Sequence, residues 1–149
     1  MFRSHTLFLG LILCASQVCL ARDLAIVANK SNGTSTVTAA ELEKLLKLGV
    51  SNWPDGKKVK IFMTDPGSME SKTILPRAYK ITPAEIKALA NSHKADIQIV
   101  GSDDIVLTMV DNNPGAIGIV NLYSINSQVK VLKIDGKLPM EQGYLLHGN

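Results

Sequence analysis

Residues 65–71 have the side chains that hold small oxyanions in proteins. Ser68 and Ser71 carry hydroxyl groups that can donate hydrogen bonds to anionic oxygen, and Gly67 offers a backbone N–H beside Asp65. The segment leaves an apolar run and enters a helical pattern, where free backbone N–H groups and the helix dipole favour an anion. We therefore predict an oxyanion site built from these four residues. The alternative is that Ser68 only caps the helix.

A second polar segment, residues 29–38, also lies between an apolar run and a helical pattern. It contains Ser31, Thr34 and Ser35, whose hydroxyl groups could contact an oxyanion. We predict these three residues as a second wall of the site. The alternative is a solvated turn that binds nothing.

Charged residues near Ser71 act in opposite directions. Glu70 falls in the first turn of the predicted helix, where it stabilises the helix dipole but would repel phosphate or sulfate. Lys72 and Arg77 could supply positive charge, although lysines and arginines on helices are usually solvated. The charges alone therefore do not decide between an oxyanion site and simple capping of the helix by Ser68.

The sequence contains no combination of residues that predicts catalysis. His93 and His147 lack the spacing of a metal site or of a nucleophile with its base. Asp103 and Asp104 lie at a predicted helix start, where acidic side chains are expected for the dipole alone. We therefore predict no enzymatic activity, no cofactor and no bound metal.

Residues 1–21 have the layout of a secretory signal peptide. Arg3 precedes an apolar stretch, and small residues lead to a cleavage site after Ala21. Both cysteines, Cys14 and Cys19, fall in this segment, so residues 22–149 would form an exported domain without disulfides or zinc-thiolate sites. The alternative is an uncleaved membrane anchor, which the short apolar stretch disfavours.

Charge and composition argue against nucleic-acid binding. The net charge of +3 falls to +2 when Arg3 is removed, and aromatic residues make up only 5% of the chain, too few for base stacking. Lys57, Lys58 and Lys60 form the only tight basic cluster. The length suits one domain with one hydrophobic core.

Alternating strand and helix patterns predict an α/β fold. Apolar runs predict strands at residues 24–28, 59–63, 96–100, 116–120 and 129–134. Helical spacing and capping signals predict helices at residues 38–49, 69–79, 82–93 and 103–112, with a break near Pro76. Such alternation favours a mostly parallel sheet with helices on both faces.

The stretch Asn113-Pro114-Gly115-Ala116-Ile117-Gly118 joins a predicted helix to a buried strand. The proline stops the helix, and Gly115 can take a positive φ or allow close backbone approach. Gly118 leaves room for a neighbouring backbone or a ligand. Trp53, beside a Pro-Asp-Gly turn, is predicted to be a packing anchor.

Taken in order, these segments resemble the phosphate-type periplasmic substrate-binding proteins of ABC transporters. The resemblance rests on residues 42–46, 49–53, 65–68, 113–118 and 129–136. It implies a single lobe of a type II periplasmic-binding-protein fold, with a mixed, mostly parallel sheet flanked by helices. In that family the loop matching residues 66–71 helps to hold the oxyanion with backbone amides and hydroxyl groups.

The resemblance also implies partners and a location. The partners would be phosphate or another small oxyanion, together with a membrane permease or an envelope sensor. We therefore expect a periplasmic or secreted, non-catalytic domain linked to ABC-type phosphate uptake or sensing. The alternative is a periplasmic protein-interaction module that kept the lobe but lost the ligand.

Overall fold

A computed structural model describes residues 22–148, so the predicted signal peptide and both cysteines lie outside the described residues. The strands are β1 Leu24–Asn29, β2 Thr36–Val37, β3 Lys60–Met63, β4 Ile97–Ile99, β5 Ala116–Asn121, β6 Val129–Val131 and β7 Lys133–Ile134. The helices are α1 Ala39–Leu46, α2 Ser71–Tyr79, α3 Pro83–Ser92 and α4 Asp103–Asp111, with a short 3₁₀ turn at Leu122–Ser124. None of the described helices is long and apolar enough to cross a membrane.

The main sheet has five strands in the order β4-β3-β5-β1-β6. β3 is parallel to β4 and to β5, whereas β1 is antiparallel to both β5 and β6. Four strands therefore point the same way and only β1 runs against them, which confirms the predicted α/β fold with a mostly parallel sheet. We call the edge where β3, β4 and β5 end the carboxyl edge, and the opposite edge the amino edge.

Helices cover both faces of this sheet, as predicted. On one face, α4 buries Val106, Leu107 and Val110 against residues such as Val27 and Phe62. On the other face, a larger cluster unites side chains of α1, α2 and α3 with the alternate residues of the strands. Because successive strand residues point to opposite faces, the continuous apolar runs of β1 and β5 fill both layers.

Gly118 makes room for α4 and not for a ligand. A Cβ atom at this position would lie 2.6 Å from Val106 Cγ1 and 3.0 Å from Val110 Cγ2. The glycine therefore lets the helix pack closely on the centre of the sheet.

The Trp53 and Gly115 segments meet at the amino edge. The indole of Trp53 is 7% exposed, and its Nε1 donates a 2.8 Å hydrogen bond to the carbonyl of Gly115. A Cβ at Gly115 would lie 2.0 Å from the carbonyl oxygen of Lys58. Close backbone approach therefore explains this glycine. The positive φ allowed by the sequence is not observed. The prediction of Trp53 as a packing anchor is confirmed.

Two helix starts follow the capping-box prediction. Thr38 accepts a hydrogen bond from the Glu41 N–H while the Glu41 carboxylate accepts one from the Thr38 N–H, and Thr82 and Glu85 repeat the arrangement. These hydrogen bonds hold the pKa values of both glutamates below their usual range. The break predicted near Pro76 is wrong, because α2 continues through this residue.

The strand predicted at residues 129–134 is divided between two sheets. β6 pairs with β1, whereas β7 pairs with β2 in a separate two-stranded parallel sheet. Leu132 marks the division, and its N–H donates to the carbonyl of Ile26 at 2.8 Å. The sequence pattern did not predict β2, which has only two residues.

The buried carboxylate of Asp23 holds the last described residues against the start of β1. It accepts hydrogen bonds from the N–H of Met140 at 2.7 Å and of Gly148 at 3.1 Å, and His147 Nδ1 lies 2.7 Å away. A Cβ at Gly148 would lie 2.5 Å from the carbonyl oxygen of Arg22. Residues 22 and 148 are therefore in direct contact.

Candidate functional site

A cavity of about 300 Å³ opens at the carboxyl edge, above the ends of β3 and β5 and the start of β1. Parallel strands that lead into helices place backbone N–H groups and loop side chains at this edge. Its volume is at the lower end of the range for small-molecule sites. Its polar lining includes Arg22, Ser68, Ser71, Asp103, Tyr123 and Ser124.

The starts of two helices meet at this cavity. Ser71 is the first residue of α2 and Asp103 is the first residue of α4, and both residues line the space. Each helix has nine residues, and its N-terminal end carries partial positive charge. The arrangement therefore favours a small anion.

Ser68 and Ser71 are the predicted residues that the structure brings to the cavity. Ser71 is 4% exposed, and its hydroxyl has no hydrogen-bond partner within residues 22–148. Ser68 Oγ accepts a long 3.4 Å hydrogen bond from the Ser71 N–H. The N–H groups of Met69 and Glu70 also have no protein partner in the described part of the chain. These groups supply unused hydrogen-bond donors where α2 begins.

Asp65 and Gly67 lie in the same loop but do not line the cavity. The Gly67 N–H donates to Asp65 Oδ1 at 2.9 Å, and the Ser68 N–H donates to the carbonyl of Asp65 at 3.0 Å. The Gly67 hydrogen bond, with a further contribution from Lys87 at 3.4 Å, holds the pKa of the Asp65 carboxyl below its usual range. Both amides are therefore used to shape the loop, and ligand contact by Asp65 or Gly67 stays a prediction.

The other wall of the cavity comes from residues that the sequence reasoning missed. Asp103 Oδ2 accepts hydrogen bonds from Ser124 Oγ at 2.6 Å and from the Asn121 N–H at 3.0 Å. The guanidinium of Arg22 lies 5.9 Å from the centre of the Tyr123 ring, close enough for a cation–π contact. Asn121 is the last residue of β5 and Tyr123 and Ser124 follow it. Ligand-binding residues in α/β sheets lie at the carboxyl ends of strands, so searching the end of every predicted strand would have found them.

The positive charge at the cavity comes from Arg22 and not from the two predicted residues. Lys72 is exposed and does not line the space, and Arg77 donates from Nη2 to the carbonyl of His147. Glu70 and Asp103 contribute two carboxylates to the lining. Among the described residues, the lining thus combines one cation and two carboxylates with the helix N-termini and several hydroxyl groups.

The prediction that Ser31, Thr34 and Ser35 form a second wall of this site is wrong in its placement. Because β1 runs against the other strands, the segment after it emerges at the amino edge. There the Ser31 N–H and hydroxyl donate to Asn29 Oδ1, and the Thr34 N–H donates to Asn32 Oδ1 at 2.9 Å. Ligand binding by these three residues in their own right stays a prediction.

The two histidines have structural partners. His93 is the C-cap of α3, and its N–H donates to the carbonyl of Leu89 at 2.8 Å. His147 contacts Asp23, as described above. Residues 22–148 contain no group of three His, Cys, Asp or Glu side chains that could hold a metal ion.

Comparison with known proteins gives two kinds of match, although no protein-family profile matches the sequence. A 46-residue stretch is 52% identical to phosphate-binding protein PstS 2 of Streptococcus agalactiae serotype V, covering 30% of this chain and 16% of that protein. An ABC-type phosphate transport receptor from Vibrio cholerae superposes with a TM-score of 0.67 at 19% identity, over 85% of this chain and 54% of that one. PstS from Borrelia burgdorferi gives a TM-score of 0.68 at 19% identity, over 86% and 55%.

The chain thus has the fold of part of these phosphate-binding proteins, and one 46-residue stretch of it is similar in sequence to PstS 2. It spans about half the length of these solved structures and 16% of the curated relative. The family resemblance predicted from the sequence is confirmed.

Proposed function

We propose that this chain is a non-catalytic solute-binding domain that takes up phosphate or a related oxyanion in the carboxyl-edge cavity. The observation that carries the proposal is Ser71, which is 4% exposed and lines the cavity where α2 and α4 both begin, and whose hydroxyl makes no hydrogen bond within residues 22–148. An anionic oxygen placed there would accept hydrogen bonds from Ser71, from Ser68 and from the free N–H groups that precede α2.

The two carboxylates in the lining select among oxyanions. Glu70 and Asp103 can only accept hydrogen bonds when they are ionised. Phosphate keeps at least one proton near neutral pH and can donate it to a carboxylate oxygen, whereas sulfate has no proton to donate. Phosphate and arsenate are therefore preferred over sulfate.

Binding to this lobe by itself is weak. The rim residue Tyr123 is 68% exposed, so water reaches the cavity and screens the charges in it. We expect a dissociation constant on the order of 1 mM, equivalent to about 4 kcal/mol of binding free energy.

We propose a transport role on the basis of the likeness to the Vibrio cholerae protein, which is an ABC-type phosphate transport receptor. In this role residues 1–21 direct export and are removed, and residues 22–149 act outside the cytoplasm as one domain. A membrane permease or an envelope sensor would receive the loaded domain. Mass spectrometry of the exported protein checks the first step, with loss of residues 1–21 as the expected result.

Titration calorimetry of the purified protein with phosphate, arsenate and sulfate tests the binding. Phosphate and arsenate should bind, and sulfate should bind at least about tenfold more weakly. Ser71→Ala should weaken phosphate binding about tenfold, since one buried hydrogen bond to a charged group is lost. Ser127→Ala removes an exposed hydroxyl outside the cavity and serves as the control.

Two outcomes would contradict the proposal. If no phosphate binding is detected at about 10 mM phosphate, which is 10 times the expected dissociation constant, the protein is not a solute-binding domain for phosphate. Equal phosphate affinity in Ser71→Ala and Ser127→Ala would show that phosphate does not bind in this cavity.

A further inference from the structure

The carboxyl edge carries most of the exposed large apolar side chains in the described residues. Six such side chains are exposed within residues 22–148; four of them lie at the carboxyl edge, and one of these, Tyr123, lines the cavity. Met69, Ile105, Tyr123 and Met140 are 72%, 46%, 68% and 73% exposed. Exposed apolar side chains concentrated in one region mark a surface that a partner covers.

The positions of these four residues follow from their neighbours. Met69 and Tyr123 belong to segments that line the cavity, and Ile105 lies in the first turn of α4, whose start also lines it. Met140 is held at the same edge because its N–H donates to Asp23 at 2.7 Å. We call these four residues the apolar rim.

The charges on this edge complement one another across the sheet. Arg22 precedes β1 and Glu70 follows β3, and β5 lies between these two strands. A two-fold axis along the sheet normal, passing near the end of β5, would place Arg22 of one copy opposite Glu70 of the other. Both pairs form at once, because a two-fold interface repeats every contact.

We propose that two copies of this chain associate through the apolar rim, edge to edge, and close their cavities against each other. The apolar rim loses its contact with water, and two Arg22–Glu70 pairs fix the orientation. A face with charges of one sign would repel its own copy, whereas this face carries both. The proposal goes beyond oxyanion binding and does not depend on which ligand occupies the cavity.

Sedimentation equilibrium of the protein purified from expression of the full 149-residue chain tests the association. The dimer should be populated at about 100 µM protein. Met69→Glu and Tyr123→Glu should each weaken dimerisation about tenfold or more, because each would bury a charge in the interface. Ser51→Glu adds the same charge at the amino edge, where the Ser51 carbonyl accepts from the Val59 N–H, and should change dimerisation less than about twofold.

A charge-exchange experiment tests the orientation. Arg22→Glu alone gives two Glu–Glu pairs, and Glu70→Arg alone gives two Arg–Arg pairs, so each variant should dimerise about tenfold more weakly than the wild type. A mixture of the two variants restores two opposite-charge pairs and should recover association to within about threefold of the wild type. Circular dichroism and thermal unfolding of every variant show that its fold is retained.

Several results would overturn the proposal. These are a monomer at all concentrations, a dimer that Met69→Glu and Tyr123→Glu leave unchanged, or a charge-exchange mixture that associates no better than its components. Loss of phosphate binding with an intact dimer would instead contradict only the proposed function, so the two failures are distinguishable.

Discussion

The two edges of the sheet differ in how their polar groups are used. At the amino edge, side chains and backbone form long-range hydrogen bonds, such as Trp53 to the carbonyl of Gly115 and Asn29 Nδ2 to the carbonyls of Val110 and Asp111. At the carboxyl edge, Asp23 and Asp103 also accept long-range hydrogen bonds, but the hydroxyl of Ser71 makes none within residues 22–148 and several apolar side chains remain exposed. Both edges therefore contribute to the fold, but the carboxyl edge also has groups that are open to a ligand or a partner.

The residues that carry the family resemblance are therefore mostly different from the residues that line the cavity. The stretch 113–118 and the Trp53 segment led to the resemblance, yet both hold the amino edge together. A third segment behind the resemblance, residues 65–68, reaches the cavity through Ser68, whereas Ser71, Arg22 and the carboxylates of the lining come from outside these segments. A relative could therefore keep both motifs and bind a different ligand.

The largest effect that this comparison predicts comes from Gly115→Ala. The new Cβ would lie 2.0 Å from the Lys58 carbonyl oxygen, and the backbone atoms there cannot move without disturbing β3. We expect a loss of about 3 kcal/mol in unfolding free energy, measured by urea denaturation. Gly33→Ala is the matched control, since nothing lies within 4 Å of its new Cβ. Similar stabilities of the two variants would contradict the close approach.

Trp53→Phe probes the same edge with a smaller change. It removes the Nε1 hydrogen bond and leaves the buried carbonyl of Gly115 without that donor. The unfolding free energy should fall by about 2 kcal/mol while phosphate binding stays unchanged. Circular dichroism follows the unfolding, because the variant lacks the fluorescent tryptophan. Altered phosphate affinity in this variant would show that the two edges are coupled.

Two buried tyrosines allow a hydroxyl that donates a hydrogen bond to be compared with one that does not. The Tyr144 hydroxyl donates to the carbonyl of Leu24 at 2.9 Å, whereas the Tyr79 hydroxyl has no partner among the described residues. Tyr144→Phe should lower the unfolding free energy by about 1 kcal/mol, and Tyr79→Phe should leave it equal or higher. Thermal and urea unfolding of both variants decide this, and the reverse order would contradict the assigned hydrogen bonding.

The same tyrosines determine the response to alkali. Burial raises the pKa of both phenols, with Tyr144 and Asp135 adding to the effect at Tyr79, and Asp23 at Tyr144. The folded state therefore keeps protons that the unfolded state releases near pH 10, so stability is full below this pH and falls above it. Urea unfolding between pH 8 and 11, as an approximate range around that value, should show this decline, and it should be shallower in Tyr144→Phe.

The smallest expected effect belongs to Arg22→Gln at the carboxyl edge. Loss of the only cation that residues 22–148 contribute to the cavity lining should weaken phosphate binding about fivefold, and the dependence of binding on salt should decrease. The unfolding free energy should change by less than about 0.5 kcal/mol, because the side chain is exposed. A large loss of stability with unchanged binding would reverse the roles assigned to the two edges.

Much of the fold follows from local signals, but strand direction does not. The capping boxes at Thr38 and Thr82 and the buried runs of β1 and β5 were predictable, because caps and apolar periodicity are local. An apolar run carries no information about whether its neighbour is parallel. The antiparallel β1 therefore put Ser31 and its neighbours at the edge opposite Ser71.

The same limit explains what was missed at the site. Arg22 precedes the first strand and Ser124 follows β5, and only the strand order brings them near Ser68. Ser68 and Ser71 were found because a polar loop entering a helix is recognisable in the sequence. The Asp65 hydrogen bond that occupies the Gly67 amide depends on a side-chain rotamer that no pattern specifies.

The contact between Arg22 and Gly148 makes this domain suitable for circular permutation. A short glycine-serine linker could join these two positions without stretching the backbone, and new termini could be opened at the exposed Gly33. The rearranged protein would keep every strand pairing while moving its free ends to the amino edge. Fusion partners or surface attachment groups could then be added far from the cavity.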